Sequence, residues 1–247
     1  MRIPVSILRC ALLLVPMATL HAEDFVLVAP KVPPAPIVVY QDAPPRTRDA
    51  AVTLADYVER VSGKKPVVLD GEPDPVPDRA IWIGLQPALR SLFPDMSLEF
   101  THPEETLIAT NGNHLLIAGR DHWDPEHMEA KGRLAMKTGM QQEYGTANAV
   151  YTFLQDYLGV RWLWPDEEDV IPRERIAIAP CTVRYHPQIR ARSGMLAKLS
   201  LGDNKEGADE LWARFQRVQL DSLELSGGHG FGHWWEKYGE EYPEYFA

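Results

Sequence analysis

The chain has 247 residues, 45% of them hydrophobic and 24% charged, and a formal net charge of −10. These proportions belong to a folded chain with room for one large domain or two small ones, and they exclude a disordered or repeat-built protein. So acidic a balance gives phosphate backbones and anionic lipid no general attraction, so neither nucleic acid nor a membrane surface is an expected partner.

The first segment reads as a targeting signal. Arg2 opens it, an apolar run over 3–20 follows, and Ala22 supplies a small residue before polar Glu23-Asp24. That is the form of a cleaved secretory signal peptide spanning 1–22, which predicts a secreted or periplasmic protein. No other stretch approaches the ~18 apolar residues of a membrane span. Cys10 leaves with the signal and Cys181 remains alone, so no disulfide within the mature chain is expected and Cys181 reads as a small apolar residue. No Cys/His spacing fits a structural zinc site, and no P-loop, dinucleotide fingerprint or Gly-x-Ser-x-Gly elbow is present, so no cofactor is expected.

Apolar runs at 25–28 and 37–40 predict short strands, separated by Pro30, Pro33, Pro34 and Pro36. Residues 47–62 predict a helix, with Ala51, Leu54, Tyr57 or Val58, and Val61 at helical spacing and Gly63 as its stop. Strands follow at 67–69 and 80–85. Two runs flanking Asn111-Gly112-Asn113, at 106–109 and 115–118, predict a hairpin. Polar residues 120–144 read as a long surface insertion with room for one helical turn. A second helix is predicted over 145–158, with Thr146 as N-cap and Gly159 as stop, and then a strand over 160–164. Ile171 and 176–179 predict a last pair of strands. The expected fold over 23–180 is therefore α/β, a mixed sheet with helices on one face.

Tyr185-His186-Pro187 reads as a linker. Beyond it, a strand within 189–199, a helical stripe of Ala208, Leu211, Trp212 and Phe215, a strand over 218–225 and a Gly-rich loop from Gly227 follow the order in which a (β/α)8 barrel opens. Residues 181–247 are thus expected to be the first units of an incomplete TIM-type barrel.

Gly145-Thr146-Ala147-Asn148-Ala149-Val150-Tyr151-Thr152-Phe153-Leu154, continuing through Gly159-Val160-Arg161-Trp162-Leu163-Trp164-Pro165, resembles a segment of secreted bacterial glycosidase-like proteins. Those proteins carry an alpha-glucuronidase- or beta-hexosaminidase-type N-terminal domain followed by a barrel domain of unknown function. Residues 54–63 resemble that domain's first helix, and 241–247 a segment early in the barrel. The resemblance implies a non-catalytic accessory α/β domain in a protein acting on polysaccharide. Two departures stand out: the insertion at 120–144 is longer than usual, and the chain stops before the strands on which such glycosidases place their carboxylates. No catalytic residue is therefore assigned.

Three residues are expected to touch carbohydrate. Residues 187–194 resemble the start of a hexosaminidase barrel, whose arginine binds sugar hydroxyls; Arg192 matches it, although Ser193 precedes the glycine. A guanidinium fork suits paired hydroxyls, and the competing role for Arg192 is a pair with a structural carboxylate. His229 lies just past the second expected barrel strand, where active-site loops stand. A metal shared with His233 is disfavoured because Gly230 and Gly232 argue against the helix that would bring the two together. Trp234, beside Trp235, offers a face for a sugar ring, against core packing. Trp162 and Trp164 read as core, and Glu167, Glu168 and Asp169 as a solvated loop. The alternative to the accessory-domain reading is a non-enzymatic secreted module that binds carbohydrate or a protein.

Overall fold

In the computed structural model, residues 23–124, 140–189, 192, 207–218 and 231–246 are described. Strict two-residue alternation builds the sheet. Ile37, Val39, Ile81, Ile83, Ile108, Leu115 and Ile117 point to one side, and Val38, Ala80, Trp82, Leu107, Ala109, Leu116 and Ala118 to the other, all buried. A sheet apolar on both faces must be covered on both.

The strands are β1 (Phe25–Val28), β2 (Ile37–Val39), β3 (Val68–Asp70), β4 (Ala80–Ile83), β5 (Thr106–Thr110) and β6 (His114–Gly119), followed by β7 (Asp121–Asp124), β8 (Met140–Tyr144), β9 (Arg161–Trp164), β10 (Glu167–Asp169), β11 (Ile176–Ile178) and β12 (Thr182–Tyr185). The main sheet has six strands in the order β12-β5-β6-β4-β2-β3. Strands β3, β2, β4 and β6 run parallel, β5 runs antiparallel to β6, and β12 at the edge runs antiparallel to β5. Helices α1 (Pro45–Ser62) and α3 (Gly145–Asp156) pack side by side on the first face. The opposite face is covered by the single turn α2 (Leu89–Leu92) and the chain from Met96 to Phe100. The fold is thus mixed α/β, and both long helices lie on one face.

Helix α1 buries Ala51, Leu54, Val58 and Val61 and stops at Gly63, as their spacing predicts. The Asn111-Gly112-Asn113 turn joins β5 to β6, with Gly112 at φ 86°, and Asn111 Oδ1 accepts the His114 N–H at 2.9 Å. Trp82, fully buried, donates its indole N–H to His114 Nδ1 at 3.2 Å. Burial pushes the His114 imidazole below its usual range, which favours the neutral acceptor form.

Four expectations need correction. Thr146 is not the N-cap of α3: it lies inside the first turn, and its hydroxyl exchanges hydrogen bonds with the Gly119 N–H (3.0 Å) and C=O (3.1 Å) of β6. The polar 120–144 segment is not helical at its described ends but forms the antiparallel pair β7–β8. The acidic run is not a loop: Glu167–Asp169 is β10, folded back on β9 by Pro165-Asp166, with Asp166 in the left-handed region at φ 64°. Ile171 lies outside any strand and is 55% exposed, and Ile176–Ile178 pairs with β1 instead.

Past Pro180, β12 still belongs to the main sheet, paired with β5. Helix α4 (Ala208–Phe215) forms where the stripe predicts it, and α5 (Phe231–Tyr238) contains Gly232 and so extends helix into the expected loop. The strands expected within 189–199 and over 218–225 fall almost wholly outside the described residues.

Candidate functional site

The most elaborate polar constellation among the described residues lies where Arg192 and residues 207–217 meet the α/β domain. The turn before β5 places Glu104 in the left-handed region at φ 54°, with its side chain fully buried. A non-glycine residue there costs about 1–2 kcal/mol, so its surroundings must hold it. Arg192 Nη2 lies 2.7 Å from Glu104 Oε2, and the Asn148 amide of α3 donates to Glu104 Oε1 at 3.4 Å. Beside it, Arg120 Nε holds the buried Glu143 carboxylate at 3.0 Å.

Arg192 also donates from Nε to the carbonyl of Arg217 at 3.0 Å. Arg217 is itself left-handed, at φ 56°. Its guanidinium reaches into α3, to Gln155 Oε1 at 2.6 Å and Thr152 Oγ1 at 3.2 Å. Arg192 thus bridges two residues of unfavourable backbone geometry, one on each side of the seam.

Helix α4 completes the junction. Phe215 is 5% exposed and stacks on Trp162 with ring centres 4.5 Å apart. Tyr151 and Tyr57 meet it edge-on at 5.2 and 6.1 Å. Trp212 Nε1 and Gln216 Nε2 both donate to the Trp162 carbonyl, at 3.2 and 3.0 Å.

An aromatic cleft opens at the end of this seam, lined by Tyr57, Trp162, Trp164, Glu167, Leu211 and Trp212. Its volume of about 90 Å³ falls well short of the ~300 Å³ at which small-molecule sites begin. Of the three acids that line it, Asp166, Glu167 and Glu168, the last is engaged: Tyr57 donates to Glu168, which pairs with Arg60 at 2.6 Å. Burial, and then the Glu168 carboxylate, push the Tyr57 hydroxyl far above its usual range, so it stays a donor. The cleft reads as packing between α4 and the β9–β10 hairpin.

A further buried carboxylate sits at the C-terminal ends of the parallel strands. Asp121 Oδ1 accepts the Thr146 N–H at 2.9 Å, at the start of α3. Its Oδ2 accepts from Thr47 in the first turn of α1 (3.2 Å) and from the Tyr40 hydroxyl after β2 (3.3 Å). Burial pushes the Asp121 carboxyl up to about 6, and the bonds from Thr146, Thr47 and Tyr40 only partly offset it. The folded chain therefore holds a proton that the unfolded chain releases from about pH 4. Stability should fall as pH rises from about 4 to 6, by on the order of 3 kcal/mol. The same titration of urea midpoints on Asp121→Asn should lack that slope.

Glu105 acts with the opposite sign. Burial alone pushes its carboxyl up, but the His102 N–H, the Arg184 guanidinium and the Thr101 N–H together hold it at about 2. Its stabilisation is present above about pH 4.5 and is lost as pH falls towards 2.

Of the residues expected to touch carbohydrate, Arg192 lies in the seam with its guanidinium on Glu104. Trp234 lies on α5 and is 56% exposed. His229 lies outside the described residues. Glu104, Arg217 and Asp121 carry the polar architecture, and sequence reasoning assigned them no role. Pro103 before Glu104 was the one local hint of a turn there. Among the described residues, no group of three or more His, Cys, Asp or Glu side chains is placed to hold a metal. No described helix is long and apolar enough to cross a membrane.

No protein-family model matches the chain, and no curated protein matches it either. Among solved structures it is similar to a family GH115 4-O-methyl-alpha-glucuronidase with specificity for decorated arabinogalactans, at a TM-score of 0.50 and 14% identity. The likeness covers 79% of this chain and 25% of that one, so the chain spans about a quarter of that enzyme's length. At this identity the likeness is one of fold: the chain has the mixed α/β architecture of one part of an alpha-glucuronidase.

Proposed function

We propose that residues 23–185 are the accessory α/β domain of a secreted glycoside-hydrolase-like protein acting on polysaccharide, and that the domain's work is to seat the segment that follows it. The supporting observation is the seam, where Arg192 joins buried Glu104 to the Arg217 carbonyl while Phe215 enters the domain's own aromatic core. A scaffold of this kind needs no catalytic group, and this chain turns over no glycoside by itself. The signal-like segment 1–22 directs it out of the cytoplasm, and Arg192, His229 and Trp234 stand as its carbohydrate contacts. The exposed Trp234 and Trp235 of α5 favour a second reading, a non-enzymatic module that binds carbohydrate or a protein.

Limited proteolysis of residues 23–247, beside an aryl-glycoside assay, tests the proposal. The protected product should retain Phe215, and no aryl group should be released. Trimming back to about Pro180 would refute the seating role, and steady hydrolysis would refute the non-catalytic one.

A further inference from the structure

Two histidines meet where the chain leaves the main sheet. His102, in the turn before β5, and His186, the first residue past β12, stack with ring centres 4.0 Å apart and planes 16° from parallel. The stack stands at the open end of the β5–β12 pair. The last rung of that pair is Thr106 opposite Tyr185, and the Thr106 hydroxyl donates to the Tyr185 carbonyl at 3.2 Å. On the β5 side the turn is fixed, because the Thr101 and His102 N–H groups both donate to the Glu105 carboxylate, at 2.8 and 3.0 Å. On the β12 side, the His186 ring ties the departing chain to that turn.

The charges around the stack are matched in pairs. Glu105 faces Arg184, Glu104 faces Arg192, and Glu143 faces Arg120, whose Nη1 also donates to the Thr101 carbonyl at 3.4 Å. The backbone carbonyl of Glu99 accepts from Arg184 as well. Neither imidazole forms a hydrogen bond or an ion pair through its ring among the described residues. A charge gained by either ring therefore has no carboxylate set against it.

Two neutral rings stack favourably, and so does a charged ring on a neutral one. Two charged rings at this separation repel. Imidazoles take up their protons between about pH 5 and 8, so mild acidification is what brings the second charge. The contact is thus present at neutral pH and lost as pH falls. We infer that the His102–His186 stack is a pH-sensitive latch, which holds the chain leaving β12 against the domain when uncharged and releases it when both rings are charged. His102 is exposed and His186 half-buried, so both meet solvent protons directly and water screens the repulsion. Asp121 acts in the opposite direction, since its contribution grows as pH falls, and Glu105, held at about 2, keeps its charge throughout. The stack is made by the domain and the first residue beyond it, so its behaviour does not depend on how the later segment is seated.

NMR on the mature chain tests the latch. The ring protons of His102 and His186 should show a nuclear Overhauser effect at about pH 7.5 that is gone at about pH 5.5. Amide protection at Thr106 and Tyr185, corrected for the intrinsic pH dependence of exchange, should fall about fivefold over the same range, the effect of like charges at this distance in a watery setting. His102→Phe and His186→Phe each keep a ring that stacks but cannot charge. Both should hold the protection constant, with unchanged circular dichroism. An Overhauser effect that persists at the lower pH, or the same fall in protection in both variants, would overturn the inference.

Discussion

Replacing Arg192 with alanine should destabilise the chain by about 3–5 kcal/mol, because it takes a guanidinium from a fully buried carboxylate. The long bond from Asn148 cannot compensate for the loss of a full opposite charge. Loss of the Arg192 Nε–Arg217 carbonyl bond would also relax the left-handed turn that ends the segment carrying α4. Urea unfolding followed by tryptophan fluorescence measures the first effect, and protease sensitivity of residues 207–218 the second. Arg192→Lys should recover only part, since an ammonium cannot reach the carboxylate and the carbonyl from one planar fork. Arg192→Ala combined with Glu104→Gln should cost less than Arg192→Ala alone, because the buried charge is then gone. If Arg192 served only to bind sugar, its removal would leave the urea midpoint where it was.

Gly145→Ala should cost about 3 kcal/mol, at the upper end of overpacking penalties, and lower Tm by roughly 6–12 °C. A Cβ at Gly145 would lie 2.5 Å from the Arg120 nitrogen and oxygen and 2.8 Å from the Glu105 carbonyl oxygen. All three are backbone atoms and cannot swing aside. The crossing is reciprocal, since a Cβ at Gly119 would come within 2.2 Å of the Gly145 carbonyl carbon. Helix α3 therefore starts in contact with the end of β6, bonded through Gly145 N–H to the Arg120 carbonyl at 3.0 Å. Gly207→Ala is the control: its φ of 82° is unfavourable for alanine but its Cβ would meet nothing within 4 Å, so about 1–2 kcal/mol is expected. Equal losses at the two positions would mean that close approach is not what glycine provides at 145.

These two effects mark what the sequence could and could not disclose. Helix α1, the Asn-Gly hairpin and α3 were legible because each is specified by contiguous residues with one clear period and a local stop. The β7–β8 pair was not, because its strands are separated by 125–139 and no short turn announces them. Strand β10 was hidden by its composition: Glu167, Glu168 and Asp169 are exposed, and they pair because Pro165-Asp166 turns the chain back onto β9. Arg192 was singled out, but its carboxylate partner is 88 residues away in the chain and lies in a turn that nothing marks as left-handed. Gly145 was visible as a motif letter; the backbone crossing that demands it appears only in three dimensions.

The position of Asp121 has a further consequence for how this chain relates to its solvent. In many α/β proteins the first turns of helices at the carboxyl edge are left open for a phosphate or sulfate from solution. Here the first turns of α1 and α3 converge on a carboxylate carried by the chain itself. The domain brings its own counter-ion, so its melting temperature should not depend on added phosphate or sulfate beyond the general salting-out effect.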